Sequence, residues 1–173
     1  MLNNVVVPLD GSALSEQALP YAANVVEAAG RITLVSVLEL LADYDYSLVD
    51  IPMTVVTARE IGQEEVDVMN QRMLQYLQGQ ADNLRRKGYR VDCVVEVGRP
   101  AEAINAVAER VSAQAIIMTT HGRTGFSKWL FGSVTQKVIA QMPCPVMVVP
   151  GKVVVEAEEP VGDTDSLTIP ATS

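Results

Sequence analysis

Short apolar runs of strand length alternate with longer amphipathic stretches along this chain. Residues 4–9 (Asn-Val-Val-Val-Pro-Leu), 31–38, 90–97, 114–119 and 145–149 are runs of the first kind, rich in β-branched residues. Leu14, Ala18, Ala22, Val25 and Ala29 recur at near-helical spacing after Ser12, a suitable N-cap. Gly30 stands where a C′ glycine ends a helix, and Pro20 predicts a bend inside this one. Val66, Met69, Met73, Leu77, Ala81 and Leu84 trace one face of a helix over residues 64–87, closed by Arg85, Arg86, Lys87 and Gly88. Ala101, Ile104, Ala108 and Val111 form the apolar face of another, opened by Pro100. A last helix follows the loop over residues 120–131. The order βαβαβαβαβ predicts an α/β fold, a single doubly wound five-stranded parallel sheet with helices on both faces. Ligands of such sheets bind outside the carboxyl ends of the strands where the winding reverses. Asp10, Val37 and the residues after Thr119 occupy that edge.

The pattern assigns residues 1–150 to one domain. A long connection over residues 40–63, holding Tyr44, Tyr46 and several acids, reads as a lid or interface arm or equally as a solvated insert. Residues 151–173 carry five acids and two prolines and read as an acidic C-terminal appendage. Hydrophobic residues make up 49% of the chain and aromatics only 5%, so the core is built from Val, Ile, Leu, Ala and Met. The methionine stripe on the long helix reads as core packing rather than a metal or cofactor site.

The formal net charge of −8 argues against nucleic acid and anionic membrane as partners, since phosphate backbones bind surfaces rich in Lys and Arg. Cys93 and Cys144 have no metal-ligand spacing and form no disulfide framework; reduced, buried thiols are expected. With no basic N-terminal region leading into a long apolar stretch, the expected location is the cytoplasm.

The chemistry concentrates between Thr119 and Thr135. Gly122 follows a strand end, where a missing Cβ lets backbone N–H groups approach an anion. Gly132 and Ser133 stand where free amides at a helix start can point at phosphate, with the Ser133 and Thr135 hydroxyls as further donors. Arg123 and Lys128 are local cations. The segment is neither a Walker A loop nor a GxGxxG fingerprint, and on these residues alone a phosphate cradle and a plain strand-to-helix turn are equally supported. Asp10 reads either as a ligand-binding carboxylate or as a turn-forming one. His121, the only histidine, has no evident orienting carboxylate or nucleophile, which favours a phosphate hydrogen bond or a loop role over general base chemistry. Trp129, the only tryptophan, reads as a packing residue.

Across residues 3–150 the chain resembles the universal stress protein family. The resemblance is carried by Val7-Pro8-Leu9-Asp10-Gly11-Ser12, His121-Gly122-Arg123-Thr124-Gly125, Gly132-Ser133-Val134-Thr135 and Pro143-Cys144-Pro145-Val146-Met147-Val148-Val149. The family's ATP-binding pattern Gly-x2-Gly-x9-Gly-Ser/Thr falls here on Thr119, Gly122, Gly132 and Ser133, with Thr119 in place of the first glycine. The resemblance implies a Rossmann-like, adenine nucleotide alpha hydrolase-like sheet that binds ATP, or AMP or ADP. Mg²⁺ would sit beside the phosphates, with no metal site made by protein side chains alone. It places Asp10 at the sugar and adenine, Val37 against the adenine, and Pro8 and Leu9 as walls of the base site. Thr119, His121, Gly122, Gly132, Ser133, Val134 and Thr135 would surround the phosphates. It also implies a homodimer, for which Val146 to Val149 of the fifth strand form an apolar edge. A nucleotide-dependent stress-response or signalling module is the expected function, with a nucleotide-free interaction module or a slow ATPase as alternatives.

Overall fold

The computed structural model describes residues 1–41, 55–57, 62–120 and 132–151. Their elements in chain order are β1 (Leu2–Pro8), α1 (Ala13–Glu16), α2 (Ala18–Val25), β2 (Val26–Leu41), β3 (Val55–Thr57), α3 (Gln63–Arg86), β4 (Arg90–Val97), α4 (Pro100–Arg110), β5 (Ala115–Thr120), α5 (Ser133–Ala140) and β6 (Val146–Pro150). Five strands form the parallel sheet in the order β4-β2-β1-β5-β6, and the three-residue β3 adds to the end of β2. From β1 the chain winds outward to β2 and β4, then crosses back to β5 and β6 on the other side. The reversal lies between β1 and β5.

Alternation along the strands divides the core into two layers. Val5, Val7, Ile32 and Leu34 pack with Ala18 and Ala22 of α2 and with Leu77, Ala81 and Leu84 of α3. Val6, Val35, Ile116 and Met118 pack on the opposite face with Ala101, Ile104 and Val107 of α4 and Val138 of α5. Helices therefore cover both faces, as the sequence pattern predicts.

Three features depart from that pattern. The first helix is split at Gln17, which both ends α1 and precedes α2. The split puts Pro20 in the first turn of α2, where its missing N–H leaves no intrahelical bond unmade. That helix also stops at Val25 rather than reaching Ala29. Val26 is buried and starts β2 beside Leu2, while Ala29 takes a left-handed φ of 60°. Gly30 thus serves close packing rather than a C′ turn: a Cβ there would lie 2.5 Å from Val26 Cγ1 and 3.1 Å from the Asn3 carbonyl oxygen. Finally, the long connection contains β3, which pairs with Glu39–Leu41; residues 42–54 and 58–61 lie outside the described residues. So do the appendage beyond Gly151 and residues 121–131, with His121, Gly122, Arg123, Lys128 and Trp129. Cys93 and Cys144 are free and half-buried.

Candidate functional site at the carboxyl edge of the sheet

Strand register brings the carboxyl-edge positions together. Val7 pairs with Leu34 and Pro8 with Val35, while Val5 pairs with Ala115 and Val6 with Ile116. Continued to the strand ends, this register sets Asp10 level with Val37 on one side and Thr120 on the other. Leu9 ties β1 to β2 as it ends: its N–H donates to the Val35 carbonyl at 2.8 Å, and its own carbonyl accepts from the buried Ser36 hydroxyl. Its side chain is 3% exposed within the core layer beside α2, and Val37, 6% exposed, lies in the layer beside α4.

Asp10 then leaves the sheet through Gly11, whose φ of 85° suits the residue without a Cβ. The Ser12 N–H and hydroxyl both donate to Asp10 Oδ1, at 2.9 and 2.6 Å. Ser12 Oγ accepts in turn from the Ser15 N–H at 3.1 Å, which makes it the N-cap of α1. The buried Ser15 hydroxyl donates to the Ser12 carbonyl at 2.8 Å and accepts from the Asp10 N–H at 3.3 Å. Burial raises the Asp10 pKa, but the hydrogen bonds from Ser12 and Ser15 outweigh it, so the carboxyl titrates below its ordinary value of 3.8. Asp10 is a fixed anionic acceptor at neutral pH.

A second polar group braces this turn from outside. Glu16 accepts from the Tyr76 hydroxyl at 3.0 Å and from Gln80 Nε2 at 2.9 Å, linking α1 to α3. Burial, and then the Glu16 and Asp10 charges, push the Tyr76 phenol well above its usual value, so it stays a donor.

Across the reversal, Thr119 pairs with Val149 and Thr120 with Pro150. Thr120 Oγ1 is buried with no hydrogen-bond partner among the described residues, and the Thr120 carbonyl accepts from the Gly151 N–H at 3.3 Å. Gly151 is buried against Leu14, and an added Cβ would also lie 3.0 Å from the Thr120 carbonyl oxygen. α5 opens at Gly132, which supplies no side-chain cap, so its first amides have no side-chain partner at the cap position. Ser133 is exposed, Gly132 and Val134 are half-buried, and Thr135 is 3% exposed.

The structure thus gathers Pro8, Leu9, Asp10, Val37 and Thr119 at one edge and describes Gly132, Ser133, Val134 and Thr135 at the start of α5. Sequence reasoning missed Ser15, Ser36 and Thr120. Ser15 was visible in the Asp10-Gly11-Ser12-x-x-Ser15 spacing of a capped turn, whereas Ser36 acquires its partner only through strand register. Among the described residues no group of three or more His, Cys, Asp or Glu could hold a metal, and no helix is long and apolar enough to cross a membrane.

The fold is a doubly wound α/β domain with this edge at the carboxyl ends of its strands, and comparison with known proteins makes the class specific. A family model described as universal stress protein family matches residues 1–150. The universal stress protein MJ0531 of Methanocaldococcus jannaschii is 30% identical over 153 residues, covering 86% of this chain and 82% of that protein. Among solved structures, MJ0577 of the same organism superposes with a TM-score of 0.60 at 27% identity, covering 88% of this chain and 99% of that one. A universal stress protein solved in complex with cAMP gives 0.62 at 19% identity, covering 87% and 99%. The chain belongs to the universal stress protein family.

Proposed function

We propose that this chain binds an adenine nucleotide at the carboxyl edge of its sheet and acts as a nucleotide-dependent module rather than as an enzyme. The observation that carries the reading is that strand register sets Asp10, a hydrogen-bonded anionic acceptor, level with Thr120, whose buried hydroxyl has no partner among the described residues. The uncapped amides of α5 stand beyond the end of β5 on the same side of the reversal. An acceptor on one side suits sugar hydroxyls and the base, and free amides with a hydroxyl on the other suit phosphate. The relative solved with cAMP shows that a protein of this fold can hold an adenine nucleotide.

In this reading Asp10 accepts from the ribose or the adenine, and Pro8 walls the base. Leu9 and Val37 back it from within the core. Ser133 donates its hydroxyl to the phosphates with the amides of Val134 and Thr135, and Thr119, His121, Gly122 and Gly132 complete the cradle. ATP, ADP and AMP share these contacts; Mg²⁺, held by the phosphates, would balance their charge.

We further propose a cytoplasmic homodimer through β6. Among the described residues this strand pairs on one side only, with β5, and exposes Met147 beside the half-buried Val146 and Val148. Denaturing the purified protein and separating the released small molecules tests the nucleotide reading, together with Mg-ATP titration followed by Trp129 fluorescence. Released ATP, ADP or AMP, or a saturable fluorescence change lost in Gly132→Val, supports it. A protein that releases none and gives no change, or an equal response from Gly132→Val, refutes it.

A further inference from the structure

The opposite, N-terminal edge of the sheet carries a polar cleft of about 480 Å³, within the size range of small-molecule sites. Its floor is a row set by strand register: Asn4 of β1 pairs with Arg31 of β2, and Arg31 pairs with Arg90 of β4. Paired residues of parallel strands project from the same face, so the two arginines leave the sheet side by side. Like charges in that position repel. Among the described residues one carboxylate pairs with them, Asp92, 3.3 Å from Arg31 Nη1. Arg90 donates from Nε to the Ala29 carbonyl at 2.8 Å, and its two Nη groups have no partner among the described residues. One net positive charge is left over in a chain of net charge −8.

The wall comes from the end of α4. Carbonyls there would repel an anion, but those of Val111 and Ser112 both accept from Asn4 Nδ2. Gln114 Oε1 is likewise engaged, by the N–H groups of Asn3 and Asn4 at 2.6 and 3.2 Å. Once these bonds are made, the groups without a partner among the described residues include the Nη donors of Arg90, the donors of Arg31 other than Nη1 and the amide donor of Gln114. Ala29 and Ser112, at φ 60° and 52°, are the only non-glycine residues with positive φ among those described, and both belong to this edge. One supplies the carbonyl that orients Arg90 and the other lines the cleft. Backbone held against its preference is concentrated at ligand clamps.

We propose that this cleft is a second binding site, for a small anion that carries a phosphate or carboxylate. Arg31 and Arg90 take the oxyanion. Along β1 the span from Asn4 to Asp10 is roughly 20 Å at the rise of an extended strand, so the site is distinct from the carboxyl edge.

The test is a heteronuclear NMR titration of the whole chain, reading the Arg31 and Arg90 Nε–Hε signals and the Ser112 and Gln114 amides. Inorganic phosphate and malate are the probes, at an ionic strength held constant with KCl. Saturable shifts with either probe, weakened tenfold or more by R90Q and by R31Q, are expected. Saturation by phosphate marks a phosphorylated ligand, and by malate a carboxylate. Non-saturating shifts with both probes, or variants that saturate at the parent's concentrations, overturn the proposal. The amides of Gly132 and Ser133 report the carboxyl edge separately, so neither site's result stands in for the other's.

Discussion

Replacing Ser12 with alanine removes two bonds at the site turn in one step. The hydroxyl accepts from the Ser15 N–H as the α1 cap and donates to Asp10 Oδ1 at 2.6 Å. Loss of a serine cap costs about 1 kcal/mol, and a hydrogen bond to a charged acceptor contributes about 1.5–3 kcal/mol when fully buried. Asp10 is only half-buried and keeps the Ser12 N–H bond, so the lower end applies and Ser12→Ala is expected to lose about 2.5 kcal/mol in total. For a domain of this length that corresponds to roughly 5–10 °C in Tm.

The pH dependence carries the sharper signature. The Asp10 pKa is depressed in the folded chain, so its stabilising contribution is complete above the unfolded-state pKa. It disappears as the pH falls through the folded value, in the window below about pH 5. Ser12→Ala moves the folded pKa upward and flattens this acid limb. Urea denaturation between pH 3 and pH 7, with carboxyl chemical shifts of Asp10, measures both. A variant within about 0.5 kcal/mol of the parent at pH 7, with an unchanged acid limb, would refute this assignment of the turn's stability to the Ser12 hydroxyl.

Leu77→Ala empties a fully buried position where α3 meets the sheet and should cost about 2–5 kcal/mol by urea denaturation. Gly30→Ala forces a Cβ to within 2.5 Å of Val26 Cγ1, beside backbone oxygens of Glu27 and Asn3, and should cost about 1–3 kcal/mol in the same assay. Tyr76→Phe removes one of the two donors to Glu16 and should destabilise by about 0.5–1.5 kcal/mol, with faster hydrogen exchange over Ser12–Glu16 as the local readout.

Much of the fold is legible because its strands are buried on both faces and therefore appear as continuous β-branched runs. Residues 90–97 are recovered at both ends, and the long amphipathic helix within one residue at each. Local pattern fails where a tertiary contact competes with it. Alanines 28 and 29 continue a helical spacing, yet Val26 gains more by entering the sheet beside Leu2. β3 is only Val55-Val56-Thr57, too short to stand out from its neighbours until β2 presents an edge for it. At the site, Asp10 and the start of α5 stand out as a strand-end acid and a glycine-led helix. The buried hydroxyls of Ser36 and Thr120 gain significance only from the strands that surround them. The pairing of Arg31 with Arg90 is likewise a product of register, which no local sequence signal encodes.

The most direct test of the central claim is a Mg-ATP titration of the labelled protein, read at backbone amides on both edges of the sheet. The account predicts saturable shifts at Asp10, Gly11, Ser12, Thr119, Thr120, Ser133 and Val134, weakened at least tenfold by Asp10→Ala. Millimolar Mg-ATP that leaves these amides unmoved, or that shifts only residues around Asn4 and Arg90, would contradict it.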